Sequence, residues 1–426
     1  MVKFIISCFF ASLPMQFLSA QVNGQLSLTE AYALAREHYP VTQQSKLIEQ
    51  TAAINISNLS RGFLPQVNLS AQATYQSDVT KVSIPLPGFS IDPLSKDQYK
   101  VVAEVNQLIF DGGVLRQQKA MQQLNADVEE QQVQVELYQL KDRINQIYLG
   151  ILYLDEQLKQ VDLVKADIQT GIKRVEAQVQ NGVAFRSNLN VLKAEWLRAD
   201  QRNIELQATR KGLLATLGLF LGQPLPENIR LLTPRVENFT LQTTFERPEL
   251  RLFEKQSTLL SQQNKLIRSR NLPRASLFFQ SGYGRPGLNM LKNDFDFFYI
   301  GGVRLNWALA NLYTKRKEKE LVTVNQKMVD IRKETFLLNT HSQQLQQSAE
   351  VEKMQQLLAA DEGIIDLREQ VKNAAKAQLE NGVITANDYI REVNAEDQAR
   401  QTRITHQLQL LQAQINYQTI SGKTNE

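Results

Sequence analysis

The chain has 426 residues, 42% of them hydrophobic, and a formal net charge of only +4. So small a charge on so long a chain argues against a nucleic-acid partner, and acidic and basic residues are interspersed as on a solvated helix face. Gln and Asn are abundant and strongly apolar runs are scarce after residue 20, a composition of long helix surfaces wetted on one side.

Residues 1–20 read as an export signal. Lys3 gives the positive start, Phe4 to Leu13 an apolar run too short to span a bilayer, and Leu18-Ser19-Ala20 a cleavage site before Gln21. Ile5-Ile6-Ser7-Cys8 also resembles a lipoprotein-processing box, so two modes of processing stand. Cleavage after Ala20 removes the single cysteine, and with it any thiol or disulfide chemistry.

A first unit is expected over 21–221. It opens with a helix from Leu28-Thr29-Glu30-Ala31, with Ser27 or Thr29 as N-cap and a break at Pro40. The period then changes. From Val67 apolar and polar residues alternate, and they do so again from Tyr99 to Phe110, which predicts a β-hairpin over 64–110 around a Pro-rich loop. Asp111-Gly112-Gly113 breaks the second strand and starts a long helix over 111–180. Ile144, Ile151, Leu154, Val161, Ile168, Ile172 and Val175 belong to a seam of three- and four-residue steps, as in a coiled coil. The helix would run roughly 105 Å, longer than any compact domain is wide. Asn181-Gly182 stops it, and a return helix is expected over 187–220.

Residues 222–246, broken by Pro224, Pro226 and Pro234, read as an irregular insertion. The pattern then restarts over 247–420, where Arg247-Pro248 opens a helix and Leu272-Pro273 echoes Leu64-Pro65. A hairpin is expected over 272–308, a long helix over 311–380, a second Asn381-Gly382 stop and a return helix over 387–419, with a tail at 421–426. The chain is thus read as an internal duplication.

Strands of about ten residues fit a tilted bilayer crossing. Leu69, Ala71, Val101, Ala103, Phe279, Tyr283, Tyr299 and Val303 form an apolar face. Asn68, Ser70, Gln72, Glu104, Gln280 and Arg304 form a polar one. Tyr75, Tyr99, Phe110, Tyr283, Tyr299 and Trp307 lie near strand ends, where an aromatic girdle belongs. A soluble, half-buried sheet shows the same alternation, but would need a cover for its apolar face. Four strands cannot close a barrel in lipid, so several copies must combine. A dimer gives eight strands and a trimer twelve, and a polar lumen favours the wider barrel.

No catalytic constellation, metal site or cofactor motif is found. His38, His341 and His406 are far apart and read as surface helix residues. Gly112-Gly113 and Gly301-Gly302 lack the Lys-Ser/Thr of a phosphate loop.

The order and spacing of Leu28-Thr29-Glu30-Ala31, the two Leu-Pro strand starts, Leu108-Ile109-Phe110-Asp111-Gly112-Gly113, Arg247-Pro248-Glu249-Leu250 and the two Asn-Gly turns resemble the TolC-like outer-membrane efflux proteins over nearly the whole chain. The resemblance implies a mainly α fold with transmembrane β structure. It implies a homotrimer whose 12-stranded β-barrel lies in the outer-membrane lipid above a 12-helix α-barrel in the periplasm. It places Asn181, Gly182, Val183, Asn381, Gly382 and Val383 at a tip that docks a periplasmic adaptor, and through it an inner-membrane pump.

Two departures stand out. Where some relatives carry acidic residues at the periplasmic pore constriction, this chain has Lys372, Asn373 and Lys376. Either a neutral or basic constriction or helix-surface pairing of the lysines with Glu369 or Glu380 fits that pattern. The counterpart of Phe110-Asp111-Gly112-Gly113 reads Leu309-Ala310-Asn311-Leu312, without glycine. The expected function is a passive outer-membrane duct for exported substrates. The alternative is a non-conducting coiled-coil protein of the cell envelope.

Overall fold

The computed structural model describes residues 24–80, 93–235 and 244–422. The export signal with Cys8, the loop residues Pro85 and Pro87, and residues 423–426 of the tail lie outside them.

A two-residue strand, β1 (Gln25–Leu26), leads into α1 (Leu28–His38). Ser27 caps that helix in a capping box: its hydroxyl accepts from the Glu30 amide while the Glu30 carboxylate accepts from the Ser27 amide at 2.9 Å. After Pro40, α2 (Thr42–Ser60) runs through a 3₁₀ turn into the strands β2 (Gln66–Tyr75) and β3 (Asp97–Phe110).

The long helix α3 (Val114–Gln180) follows. It starts later than Asp111 because Asp111-Gly112-Gly113 is itself the turn. The buried Asp111 carboxylate accepts from the amides of Gly113 at 2.8 Å and Leu115 at 2.6 Å. Gly112 has φ 72°, and a Cβ there would stand 2.7 Å from the Ser269 carbonyl. Glycine is therefore needed on two counts.

After α3 comes α4 (Arg186–Leu221), then a two-residue strand, β4 (Arg230–Leu231), which pairs in parallel with β1. That small sheet lies inside the segment read as an irregular insertion. Two residues carry no readable period, so the sequence does not announce it.

The second unit consists of α5 (Pro248–Arg270), β5 (Arg274–Arg285), β6 (Asp296–Asn306), α6 (Asn311–Glu380) and α7 (Ala386–Ser421). Its entry into the long helix differs from the first. Ala310 already has helical backbone angles, and the amides of Asn311 and Leu312 bond back to Ala308 and Leu309. A turn built this way needs no left-handed residue, which is why the glycines are absent.

The four long strands form one antiparallel sheet in the order β2-β3-β5-β6, so the two units join through the β3–β5 pair. Next to the sheet, α2 and α5 lie along α3, and α5 also lies against α6; towards the turns, α3 runs between α4 and α7, and α7 lies against α6. The chain folds into a long slab. Its edges are β2, α2 and α4 on one side, and β6 and α6 on the other.

Two apolar cores hold the slab together. One, at mid-height, gathers Leu26, Ile144, Tyr148, Leu217 and Ile229. The Tyr148 hydroxyl lies 2.7 Å from the carbonyls of both Leu26 and Leu232, pinning the small sheet to α3. The other, near the Asn-Gly turns, gathers Ile168, Ile172, Val175, Leu192, Tyr389 and Val393.

Candidate docking end and channel wall

The α3–α4 and α6–α7 connections are Schellman turns. In the first, Val183 N–H donates to the Gln178 carbonyl at 2.8 Å and Gly182 N–H to Val179 at 3.1 Å. In the second, Val383 donates to Gln378 at 2.9 Å and Gly382 to Leu379 at 3.1 Å. Gly182 and Gly382 have φ 71° and 70°, with nothing within 4 Å of a Cβ built on either. Positive φ, not crowding, demands glycine there.

The turns sit side by side, because the Gln178 side-chain amide lies within 3.3 Å of the Leu379 and Glu380 carbonyls. Val183 and Val383 are exposed. After the second turn, Thr385 and Asp388 form a capping box on α7. At the equivalent place in the first turn stands Phe185, which gives α4 no side-chain cap and is 80% exposed.

Behind the turns, ion pairs cross between helices. Lys372 is not paired with Glu369 or Glu380. Its ammonium lies 2.8 Å from Asp167 on α3 and 3.5 Å from Glu396 on α7. Glu369 instead bonds Arg400 at 2.8 Å, and Glu380 bonds Arg174 at 3.1 Å. Arg400 also bonds the buried Glu396. Asn373 is exposed and Lys376 half-buried.

Next to this network, Gln160 donates to Asp397 at 3.0 Å, and Arg202 donates to Gln157 at 2.5 Å and to Asp397 at 3.4 Å. Burial pushes the Asp397 carboxyl above the usual range, against the pull of Gln160 and Arg202. His406 is not a surface residue: it is mostly buried, 2.6 Å from buried Asp361. Among the described residues, no three His, Cys, Asp or Glu side chains gather as a metal site.

The sheet has two chemically distinct faces. In register, Leu69, Ala103 and Ser281 lie in one row, and Ala71, Val101, Tyr283 and Phe297 in the next. The apolar face is bare: Leu69 is 77% exposed, and Val67, Phe297, Tyr299, Val303 and Leu305 are exposed beside it. Tyr75, Tyr99, Tyr283 and Tyr299 lie towards the loop end of the sheet, where Phe295 stacks on Tyr99 and Tyr283 at centroid distances of 6.3 and 5.6 Å. Phe110 and Trp307 lie towards the helix end, and the Trp307 indole donates to the Asn271 carbonyl at 3.1 Å.

The opposite face carries Asn68, Glu104 and Gln280 in one row and Gln72, Lys100 and Gly284 in another. It also carries two aromatic rings that the alternation did not single out. Phe298 lies over Gly282, where an added Cβ would be 2.5 Å from the ring, and Phe278 lies over Gly302. No helix among the described residues is long and apolar enough to cross a membrane.

Residues 31–223 match the family model described as outer membrane efflux protein. No curated protein matches the sequence. Among solved structures, CusC resembles this chain with a TM-score of 0.69 at 14% identity, over 93% of this chain and 92% of that one. The outer membrane protein VceC of Vibrio cholerae gives 0.66 at 14% identity, over 94% and 97%. The open state of the outer membrane channel MtrE of Neisseria gonorrhoeae gives 0.64 at 14% identity, over 93% and 89%. At such identity the likeness is one of fold.

Proposed function

We propose, for a chain whose residues 31–223 match the outer membrane efflux protein family model and whose fold is TolC-like, that three copies close into one passive duct. The duct would cross the outer membrane and extend through the periplasm, carrying exported substrates outward from an adaptor and inner-membrane pump. The observation that carries this reading is the bare apolar face of a four-stranded sheet whose edges, β2 and β6, are both unpaired among the described residues. Such a sheet is stable in lipid only when closed.

Three copies supply twelve strands, and the polar face then lines water. Eight strands would leave an interior filled by side chains. Ring closure also gives the edge helices partners, since exposed apolar residues mark both sides: Leu47 and Ile54 on α2, Leu197 and Ile204 on α4, and Leu321, Ile331 and Leu367 on α6.

At the far end, Asn181-Gly182-Val183 and Asn381-Gly382-Val383 would meet the adaptor. Their support is their isolation at the slab's end and the exposed valines they present. Lys372, held in ion pairs, would stiffen that end rather than repel cations from its opening.

Purified protein is expected to form trimers and conduct ions in planar bilayers; protein that inserts without conducting would refute the duct. Cysteines at Val183 and Val383 are expected to cross-link to the adaptor in an assembled pump. Consistent failure at both would remove the docking assignment while leaving the channel intact.

A further inference from the structure

The inner face of the sheet carries few charges, and their pairing is uneven. Lys100 on β3 stands level with the loop-end aromatic belt, and Glu104 on β3 and Arg304 on β6 stand between it and the helix-end belt. Arg304 lies 3.3 Å from Glu104 and 4.6 Å from the centre of the Phe278 ring, so its charge is matched by the carboxylate. Lys100 has no carboxylate in ion-pair range among the described residues. Its ammonium lies 4.7 Å over the Phe298 ring, which attracts the cation without neutralising it. Its row neighbours are Gln72 and Gly284. Asp296, beyond Gly284 on the same row, pairs with Lys292 at 3.4 Å. Arg274, at the helix end of the same face, adds a further cation and no acid.

We infer that Lys100, propped over Phe298, gives the wall of the barrel a preference for anions. This rests on the closed trimer proposed above, which sets three such ammonium groups at one level of the lumen. The Debye length is about 10 Å in 0.1 M salt, so each ammonium of such a ring acts on ions that pass the wall within about that distance. A low-dielectric wall concentrates the effect. Chloride, or a carboxylate or phosphate on a passing solute, is held there more than a cation of equal size.

The test is the reversal potential of purified trimers in planar bilayers under a KCl gradient. Lys100→Glu turns the ring negative and is expected to lower the chloride-to-potassium permeability ratio at least about twofold. Arg304→Gln, which bares Glu104, should lower it in the same direction, and Lys100→Arg should leave it as in the wild type. Lys100→Glu channels with the wild-type ratio would overturn the inference and leave the duct standing. If Lys100→Glu does not assemble, Lys100→Gln decides on the same criterion. Wild-type protein that gives no channels counts against the duct itself, a distinct result.

Discussion

Asp397 shows what a single buried acid costs. Its carboxyl is pushed up by burial, so the folded protein binds its proton more readily than the unfolded chain does. The sign follows: this group favours the folded state at pH values below the unfolded carboxylate pKa, and that contribution is lost as pH rises through the raised folded value. Asp397→Asn keeps an acceptor for Gln160 and removes the buried charge. The variant should melt above the wild type at pH 8, with the gap closing as pH falls through the carboxylate range. A lower melting point at pH 8 would mean that Arg202, which also holds Gln157, depends on the carboxylate more than burial opposes it. Lys372 teaches the complementary lesson about reading charges along a helix. Its nearest acid in sequence, Glu369, lies three residues away on the same helix, yet its partners come from α3 and α7. Local spacing cannot rank a neighbour on the same helix against one on a helix packed alongside.

The duplication supplies an internal control for the elements. Both long helices stop in the same Schellman geometry, and that much was legible, because Asn-Gly after a helical run is a signal with a mechanism. The restart is not duplicated. α7 begins at a capping box, whereas α4 begins at Phe185 with Asn188 in the place of Asp388. A capping side chain is worth about 1 kcal/mol. Changing Phe185→Ser together with Asn188→Asp should slow amide exchange in the first turn of α4 by about that free energy. Thr385→Ala should speed exchange at the start of α7 comparably; equal exchange in all variants would show that packing alone fixes both starts. The strands were legible from period two and the seam of α3 from period 3.5, since each repeats over many residues. β1 and β4 were not, being held by Tyr148 and by each other rather than by any pattern of their own. The inward rings of Phe278 and Phe298 broke the expected polar face for a local reason: each fills the space that a cross-strand glycine leaves.

At the scale of the whole molecule, the slab's edges are complementary. Along α6, Leu321, Val324, Met328, Ile331 and Leu338 are exposed at steps of three, four and seven, a heptad seam without a partner among the described residues. On the other edge, Leu47 and Ile54 of α2 are exposed one heptad apart. Since α2 and α6 lie on opposite edges, one chain cannot join them, but a ring of chains can. Cysteines at Leu47 and Met328 in one chain, with Cys8 replaced, should oxidise to covalent dimers and trimers. Monomer alone after oxidation of assembled protein would mean that these edges do not meet. Height along the slab was readable from helix length at 1.5 Å per residue. The order of helices across it was not, because adjacency in the slab follows packing rather than chain order.

Ser27, near the start of the described chain, and Thr419, near its end, line one cavity of about 510 Å³ at mid-height, close to the small sheet that β4 makes with β1. Every excursion to the strand end or to the turns is therefore a loop that leaves the girth and comes back to it. The duplicated halves could be spliced at the waist without a connector running the length of the rod. Viewed this way, the proposed ring is a sixfold arrangement of half-chains in which every second junction at the girth is a peptide link. A difference confined to one half, such as Phe185 against Thr385, would then repeat at alternate positions around the opening and give it threefold rather than sixfold character.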